Sequence, residues 1–311
     1  MTSASNSKTT LAVIGASSMV GSRFCQLTEK GRGFELVKAD LNSNIPVDIT
    51  NKKSVDSFFK KYSQNFDWVV LFSAYTDVDG AQKQRGDKNG SCWQINVDGT
   101  TNIVKNCARY NRGLIFTSTD FVFDGQEGPY SEDDPVGGDL KKVSWYGITK
   151  IEAEKIIQSG IEKFLILRIT YPYRAKFAGK DDIVKRIFRL YKQGNLYPMF
   201  DDQITSPTFI DDLKETIALL ISKKSLGIFH IASPRTVSFY EFAKRAIKTF
   251  GGNPADVKKG SIGDFLSRPN STPRPIKGGL RVGKISDLGF TPTDWEKGLE
   301  AIYLQSAGKL I

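Results

Sequence analysis

Short apolar runs alternate with helical periodicities through the first half of the chain. Leu11–Ile14, Phe34–Ala39, Trp68–Phe72, Leu114–Thr117 and Phe164–Ile169 are apolar, too short for helices and spaced along the chain, so they read as buried parallel strands. Between the first two, Val20, Phe24 and Leu27 fall at i, i+4 and i+7; later, Val55, Phe58, Phe59 and Tyr62 fall at i, i+3, i+4 and i+7. Each set marks one apolar helix face. Strand and helix therefore alternate from residue 11 to about 170, which predicts an α/β fold, a doubly wound parallel sheet with right-handed crossovers.

Beyond Thr170 the rhythm changes. Tyr171–Pro207 mixes aromatic, basic and proline residues, and Gly251–Pro292 is rich in Gly, Pro, Lys and Arg. The helical pattern at Asp211–Ile221 and the apolar run at Gly227–Ile231 look like a return to the sheet. The expected organisation is a flexible tail over 1–10, a nucleotide-binding domain over 11–170 plus about 208–232, and a smaller, discontinuous C-terminal substrate lobe over 171–207 plus 233–311.

Composition narrows the function classes. Of 311 residues, 40% are hydrophobic and 25% charged, ordinary for a folded chain, and no apolar run approaches the roughly 20 residues of a membrane helix. The opening MTSASNSKTT lacks the apolar stretch of a secretory signal, so a cytoplasmic location is expected. Cys25, Cys92 and Cys107 lack CxxC spacing and His230 is the one histidine, so neither a zinc site nor a disulfide framework is expected. His230, inside Ile228–Ile231, reads as a strand or core histidine. The net charge of +10 is scattered rather than gathered into a stripe, which argues against nucleic acid and suits a pyrophosphate-bearing small molecule.

Two constellations carry chemistry. The first is LAVIGASSMVGSRF, where a strand runs into a helix through Gly15-x-x-Ser18-x-x-Gly21. Such a turn lets backbone amides and a helix N-terminus approach a pyrophosphate. The second strand ends in Asp40, positioned to accept hydrogen bonds from an adenosine ribose, which favours NADH, while Arg32 or Lys38 would accommodate the extra phosphate of NADPH.

The second constellation is Tyr146-Gly-Ile-Thr-Lys150, with tyrosine and lysine one helical turn apart. A neighbouring ammonium is expected to lower the phenol pKa, fitting Tyr146 to protonate an alkoxide as hydride reaches a carbonyl carbon. The fourth strand ends in Ser118, Thr119 and Asp120, at the edge where such sheets hold their ligands.

LFSAYTDVDGAQ, INVDGTTNI, TSTDFVFDG, YGITK and LRITYPY, with RPNSTPRPIKGGLRVGKISDLGF further on, resemble the dTDP-4-dehydrorhamnose reductase family of extended short-chain dehydrogenases/reductases over roughly residues 10–305. The resemblance implies a Rossmann-type fold and NADH- or NADPH-dependent reduction of a keto group on a nucleotide-diphosphate sugar. It implies that Thr119, Tyr146 and Lys150 are catalytic. Around the cofactor it would place the turn residues Gly15, Ser17, Ser18, Met19, Val20 and Gly21, then Asp40, Asp48 and Ile49 at the adenosine, Ala74, Tyr75 and Thr76 at the pyrophosphate and ribose, and Asn96 and Thr117. Thr119, Asp120, Tyr146 and Tyr171 would meet the sugar, with Tyr171 standing where the family often has tryptophan. A homodimer is compatible with this reading. A non-catalytic cofactor-binding subunit similar to methionine adenosyltransferase beta, or a nucleotide-sugar epimerase, would share many of these residues.

Overall fold

The computed structural model describes residues 8–31 and 33–310. In chain order, β1 (Thr9–Ile14), α1 (Met19–Lys30), β2 (Phe34–Ala39), α2 (Lys52–Tyr62), β3 (Trp68–Leu71), α3 (Val78–Gln82), the short α4 (Ser91–Trp93), α5 (Thr100–Tyr110), β4 (Gly113–Thr119), α6 (Trp145–Gly160) and β5 (Phe164–Ile169) interleave strands with helices. Next come α7 (Ile183–Lys192), the two-residue strands β6 (Met199–Phe200) and β7 (Ile204–Thr205), α8 (Asp212–Ser222) and β8 (Gly227–His230). The chain closes with β9 (Val237–Ser238), α9 (Phe239–Thr249), β10 (Lys259–Gly260), α10 (Ile262–Leu266), α11 (Gly283–Asp287) and α12 (Trp295–Gln305).

The main sheet has the order β2-β1-β3-β4-β5-β8 and is parallel throughout. Alternate residues leave it on opposite faces, as the pleat requires. Leu11, Val13, Val70, Ile115 and Leu167 enter a core shared with Phe24 of α1 and Ile217 of α8. Ala12, Ile14, Val69, Leu71 and Phe116 enter the other, with Phe59, Ile103 and Ile157 of α2, α5 and α6. Helices on both faces explain why the strands read as unbroken apolar runs, and each buried aliphatic contributes about 1.5–3 kcal/mol. The pairing β5–β8 returns the chain to the sheet after its excursion, as the Gly227 run predicts.

A third core, containing Tyr173, Ile187, Phe242, Ile247, Trp295 and Leu299, gathers α7, α9 and α12 outside the sheet. The fold is thus a doubly wound α/β sheet of the Rossmann type with a smaller, discontinuous C-terminal lobe. The tail expected over 1–10 needs one correction: Thr9 and Thr10 pair with Phe34 and Glu35, because β-branched threonines extend the strand. Residues 1–7 of that tail, and Arg32, lie outside the described residues. Among the described residues no helix is long and apolar enough to cross a membrane.

Candidate active site

The main sheet gathers the carboxyl ends of its strands at one edge, and β1 has β2 on one side and β3 on the other, so the chain reverses its travel across the sheet there. The crevice at such a reversal is where open α/β sheets take ligands. Just past β1, Gly15 adopts φ +88°, and a Cβ there would lie 2.5 Å from the Ser73 amide nitrogen. The turn tolerates no side chain at that position. Ser18, which departs from the all-glycine pattern, serves the turn itself. Its Oγ donates to the Gly15 carbonyl at 2.7 Å and accepts from the Gly21 amide at 3.0 Å, capping α1. Asp40 braces the turn from β2, accepting from the Ser17 amide at 2.9 Å and the Leu41 amide at 2.7 Å. Among the described residues no acceptor engages the amides of Met19 and Val20, so the first turn of α1 keeps two free donors at its positive end.

Helix α6 presses onto the end of β4 because Gly147 has no side chain: a Cβ there would sit 2.1 Å from the Phe121 carbonyl oxygen. This brings Tyr146 and Lys150 to the hydroxyl-bearing strand end. The Lys150 Nζ donates to the Thr117 carbonyl at 2.8 Å and lies 3.8 Å from the centre of the Phe116 ring. Burial pushes its pKa down to about 7, opposed by the Glu154 carboxylate. The expected lowering of the Tyr146 pKa by Lys150 is overturned. Burial raises the phenol instead, with the Thr119 hydroxyl pulling the other way, and the ammonium faces the Thr117 carbonyl. Thr119 Oγ1 accepts from the Phe121 amide at 3.2 Å and donates to Asp120 Oδ1 at 3.3 Å. Burial lifts the Asp120 carboxyl to about 7 against hydrogen bonds from Thr170 and Thr119.

These groups share one cavity of about 500 Å³. Ser18, Met19 and Val20 line it from the turn, Ala74 and Thr76 from the loop after β3, Thr117 and Thr119 from β4, and Tyr146, Lys150 and Tyr171 from the far side. Among the described residues the buried Thr117 Oγ1 finds no hydrogen-bond partner. Gly15, Ser17, Gly21 and Asp40 shape the turn from behind, and Asp120 backs Thr119. Tyr75 and Asn96 form a brace: the Tyr75 amide donates to Asn96 Oδ1 at 2.8 Å, and Asn96 Nδ2 donates to the Thr149 hydroxyl at 3.0 Å. Asp48 and Ile49 lie after β2, the first holding Thr50 and the second buried with its carbonyl accepting from Asn102. Lys38 is paired with Glu29 at 2.6 Å. Two free helix amides, an acidic residue ending β2, an unpartnered hydroxyl and a buried Tyr/Lys pair make a donor set that fits a nicotinamide dinucleotide.

A second cavity, of about 700 Å³, adjoins the first and shares Tyr171, Asp181, Asp182, Ile183 and Arg274 with it. Its walls are aromatic, with Tyr197, Phe200, Phe239 and Phe265, and carry Arg186, Lys259 and Arg268. Tyr171 stands at the junction with φ +39° and packs edge-on against Phe239 at 4.7 Å.

Sequence reasoning missed Phe177 and Lys180 on the first cavity, and Arg274 on both. It also missed a buried charge network beneath α6. Arg168 donates to both Glu154 oxygens at 3.0 and 2.7 Å, Ser118 Oγ donates to Glu154 at 2.5 Å, and Arg168 Nη1 lies 3.3 Å from His230 Nε2. The spacing of Glu154, four residues after Lys150, was the available signal. His230 is fully buried, and burial and Arg168 push its pKa down to about 3, as suits a neutral core histidine. Cys25, Cys92 and Cys107 are free and buried, and the described residues hold no group of three metal-ligating side chains.

Comparison with known proteins identifies the family. The family model described as RmlD substrate binding domain matches residues 9–307. The dTDP-4-dehydrorhamnose reductase of Aggregatibacter actinomycetemcomitans is 27% identical over 305 residues, 94% of this chain and 97% of the relative. The spore coat polysaccharide biosynthesis protein SpsK of Bacillus subtilis is 30% identical over 300 residues, covering 96% and 97% of the two chains. Among solved structures, dTDP-4-dehydrorhamnose reductase from Bacillus anthracis in complex with NADP superimposes with a TM-score of 0.81 at 26% identity, covering 96% of this chain and 99% of that one. The chain belongs to the RmlD substrate-binding domain family.

Proposed function

We propose that this protein is an NAD(P)H-dependent oxidoreductase that reduces the 4-keto group of a dTDP-linked deoxysugar, with dTDP-4-dehydrorhamnose as its substrate. The observation that carries the reading is that Thr119, Tyr146 and Lys150 line one cavity with the capped turn of α1. The amides of Met19 and Val20 would receive the cofactor pyrophosphate, Asp40 would hold its adenosine ribose, and Lys150 and Thr117 its nicotinamide end. A reduced nicotinamide held there would supply the hydride for the carbonyl carbon.

The protein's own residues handle the oxygen. Tyr146, its phenol pKa raised by burial, stays protonated through the neutral range and gives that proton to the oxygen as the C–O bond becomes an alcohol. Thr119 holds the same oxygen with its hydroxyl, turning from Asp120 to do so. Lys150 fixes the ribose and, in its protonated form, supplies a positive charge near the developing alkoxide. The larger cavity takes the nucleotide part of the substrate. Three buried free cysteines suit a cytoplasmic site of action.

The test is oxidation of NADH and NADPH in the presence of dTDP-4-dehydrorhamnose, with the product identified by mass spectrometry as two hydrogens heavier. A protein that binds NAD(P)H yet reduces no nucleotide-linked keto sugar overturns the reading in favour of a cofactor-binding subunit.

A further inference from the structure

We propose that Arg274 clamps the diphosphate of the substrate, and that Asp79 is a placeholder carboxylate that holds the guanidinium until the diphosphate displaces it. The inference rests on the reductase reading, because it assumes a keto sugar at Tyr146 joined through a diphosphate to a nucleoside.

The two cavities fix the path. A sugar whose carbonyl reaches Tyr146 and Thr119 fills the smaller cavity, and the attached nucleoside needs the larger, aromatic one. The link between them is the diphosphate, so it must cross the shared wall of Tyr171, Asp181, Asp182, Ile183 and Arg274. Arg274 is the one cation on that wall. The acids beside it are already engaged: Asp181 pairs with Arg189 at 2.6 Å, and Asp182 caps α7 and lies 3.7 Å from Lys185. Of the other cations, Lys259 is paired with Asp201 at 2.7 Å, Arg186 stacks over Tyr197, Arg268 lines the larger cavity alone and Lys180 the smaller alone.

Arg274 is held loosely enough to change partners. Its Nη2 donates to both Asp79 oxygens, at 2.7 and 2.8 Å, yet Asp79 is 61% exposed while Arg274 is 19% exposed. An ion pair with one solvated partner is weak. The guanidinium itself is positioned independently: it lies over the Phe265 ring and faces the Tyr171 hydroxyl, and the neighbouring Pro275 carbonyl accepts from Gln203 at 2.9 Å. A diphosphate carries more charge than one carboxylate and offers the paired oxygens an arginine fork prefers. Asp79, already 61% exposed, then turns into solvent, where its charge is screened.

Calorimetric titration of thymidine diphosphate into the NADPH-loaded protein tests the exchange. Arg274→Ala should weaken binding about 10- to 100-fold, the loss of a charge-assisted hydrogen bond. Asp79→Ala should do the opposite and tighten binding about two- to fivefold, with Asp79→Asn following it. The double variant should bind no better than Arg274→Ala, because there is no guanidinium left to release. Equal NADPH affinity across the set checks that each variant is folded. Asp79→Ala and Asp79→Asn that weaken binding, or leave it unchanged, overturn the exchange and make Asp79 a strut; the reductase reading stands if the wild type still consumes NADPH with the keto sugar. A wild type that neither binds thymidine diphosphate nor reduces the keto sugar overturns both.

Discussion

The Lys150 ammonium and the Thr117 carbonyl oxygen are joined by a 2.8 Å hydrogen bond, which ties the cation of α6 to the strand that presents Thr119. The phenol of Tyr146 is therefore free of the lysine before ligands arrive. Tyr146→Phe should lower kcat by about 10²- to 10⁴-fold with NADPH affinity nearly unchanged, since only the transferred proton is removed. Lys150→Met should lower both, measured by steady-state kinetics and cofactor titration. A Tyr146→Phe variant with wild-type kcat would remove tyrosine from the proton step.

Asp120 makes stability depend on pH in a defined direction. Its carboxyl is raised from 3.8 to about 7 in the fold, so between those values the folded protein binds a proton that the unfolded chain has released. Its contribution is fully present below 3.8 and is lost as pH rises through about 7. Asp120→Asn should therefore remove a decline in stability across that window, read as the difference between denaturation curves of the two proteins at matched pH.

Ser18 caps α1 through its hydroxyl, so Ser18→Ala should cost about 0.5–2 kcal/mol in chemical denaturation, whereas Ser18→Gly should cost only a few tenths. The ordering of these two variants is diagnostic. A glycine that destabilises more than alanine would mean that the turn relies on serine for something other than the cap.

In the proposed reading Asp40 governs the cofactor preference, from a fixed position with both oxygens engaged by backbone amides. Its charge disfavours a phosphate on the adenosine ribose. Asp40→Asn should raise the ratio of kcat/KM for NADPH to that for NADH, and an unchanged ratio would assign the choice to other residues.

Beneath the site, Arg168→Met would strand the Glu154 carboxylate with its buried partner gone. Breaking such a pair costs about 3–5 kcal/mol, so a large drop in the denaturation midpoint is expected. Replacing Arg168 and Glu154 together by Met and Gln should restore part of the loss.

The fold was legible because doubly buried strands leave short apolar runs and their helices leave one apolar face, as Val13 and Phe59 illustrate on opposite sides of the sheet. The Tyr146/Lys150 pair was legible because helical spacing alone sets the two a turn apart. The brace at Asn96 was not, since it sits in a π-helical stretch, Gln94–Gly99, whose wider turn leaves no periodic mark. Arg274 was hidden for a different reason: its role comes from a loop of the second lobe meeting Asp79, 195 residues away in sequence. The direction of the Tyr146 pKa shift depends on burial and on where the lysine points, and neither follows from spacing.

The turn between β1 and α1 is finished before any cofactor arrives. The Ala39 and Gly15 carbonyls, Asp40 and the Ser18 hydroxyl satisfy its amides, and among the described residues only those of Met19 and Val20 wait for a ligand. Ordering a loop costs about 1–2 kcal/mol per residue, and here that cost falls on folding rather than on association. Cofactor capture then resembles docking onto a rigid surface, with encounter rather than loop closure setting its rate. A chain of net charge +10 meeting a polyanion gains speed from that arrangement, and loses it as salt is added.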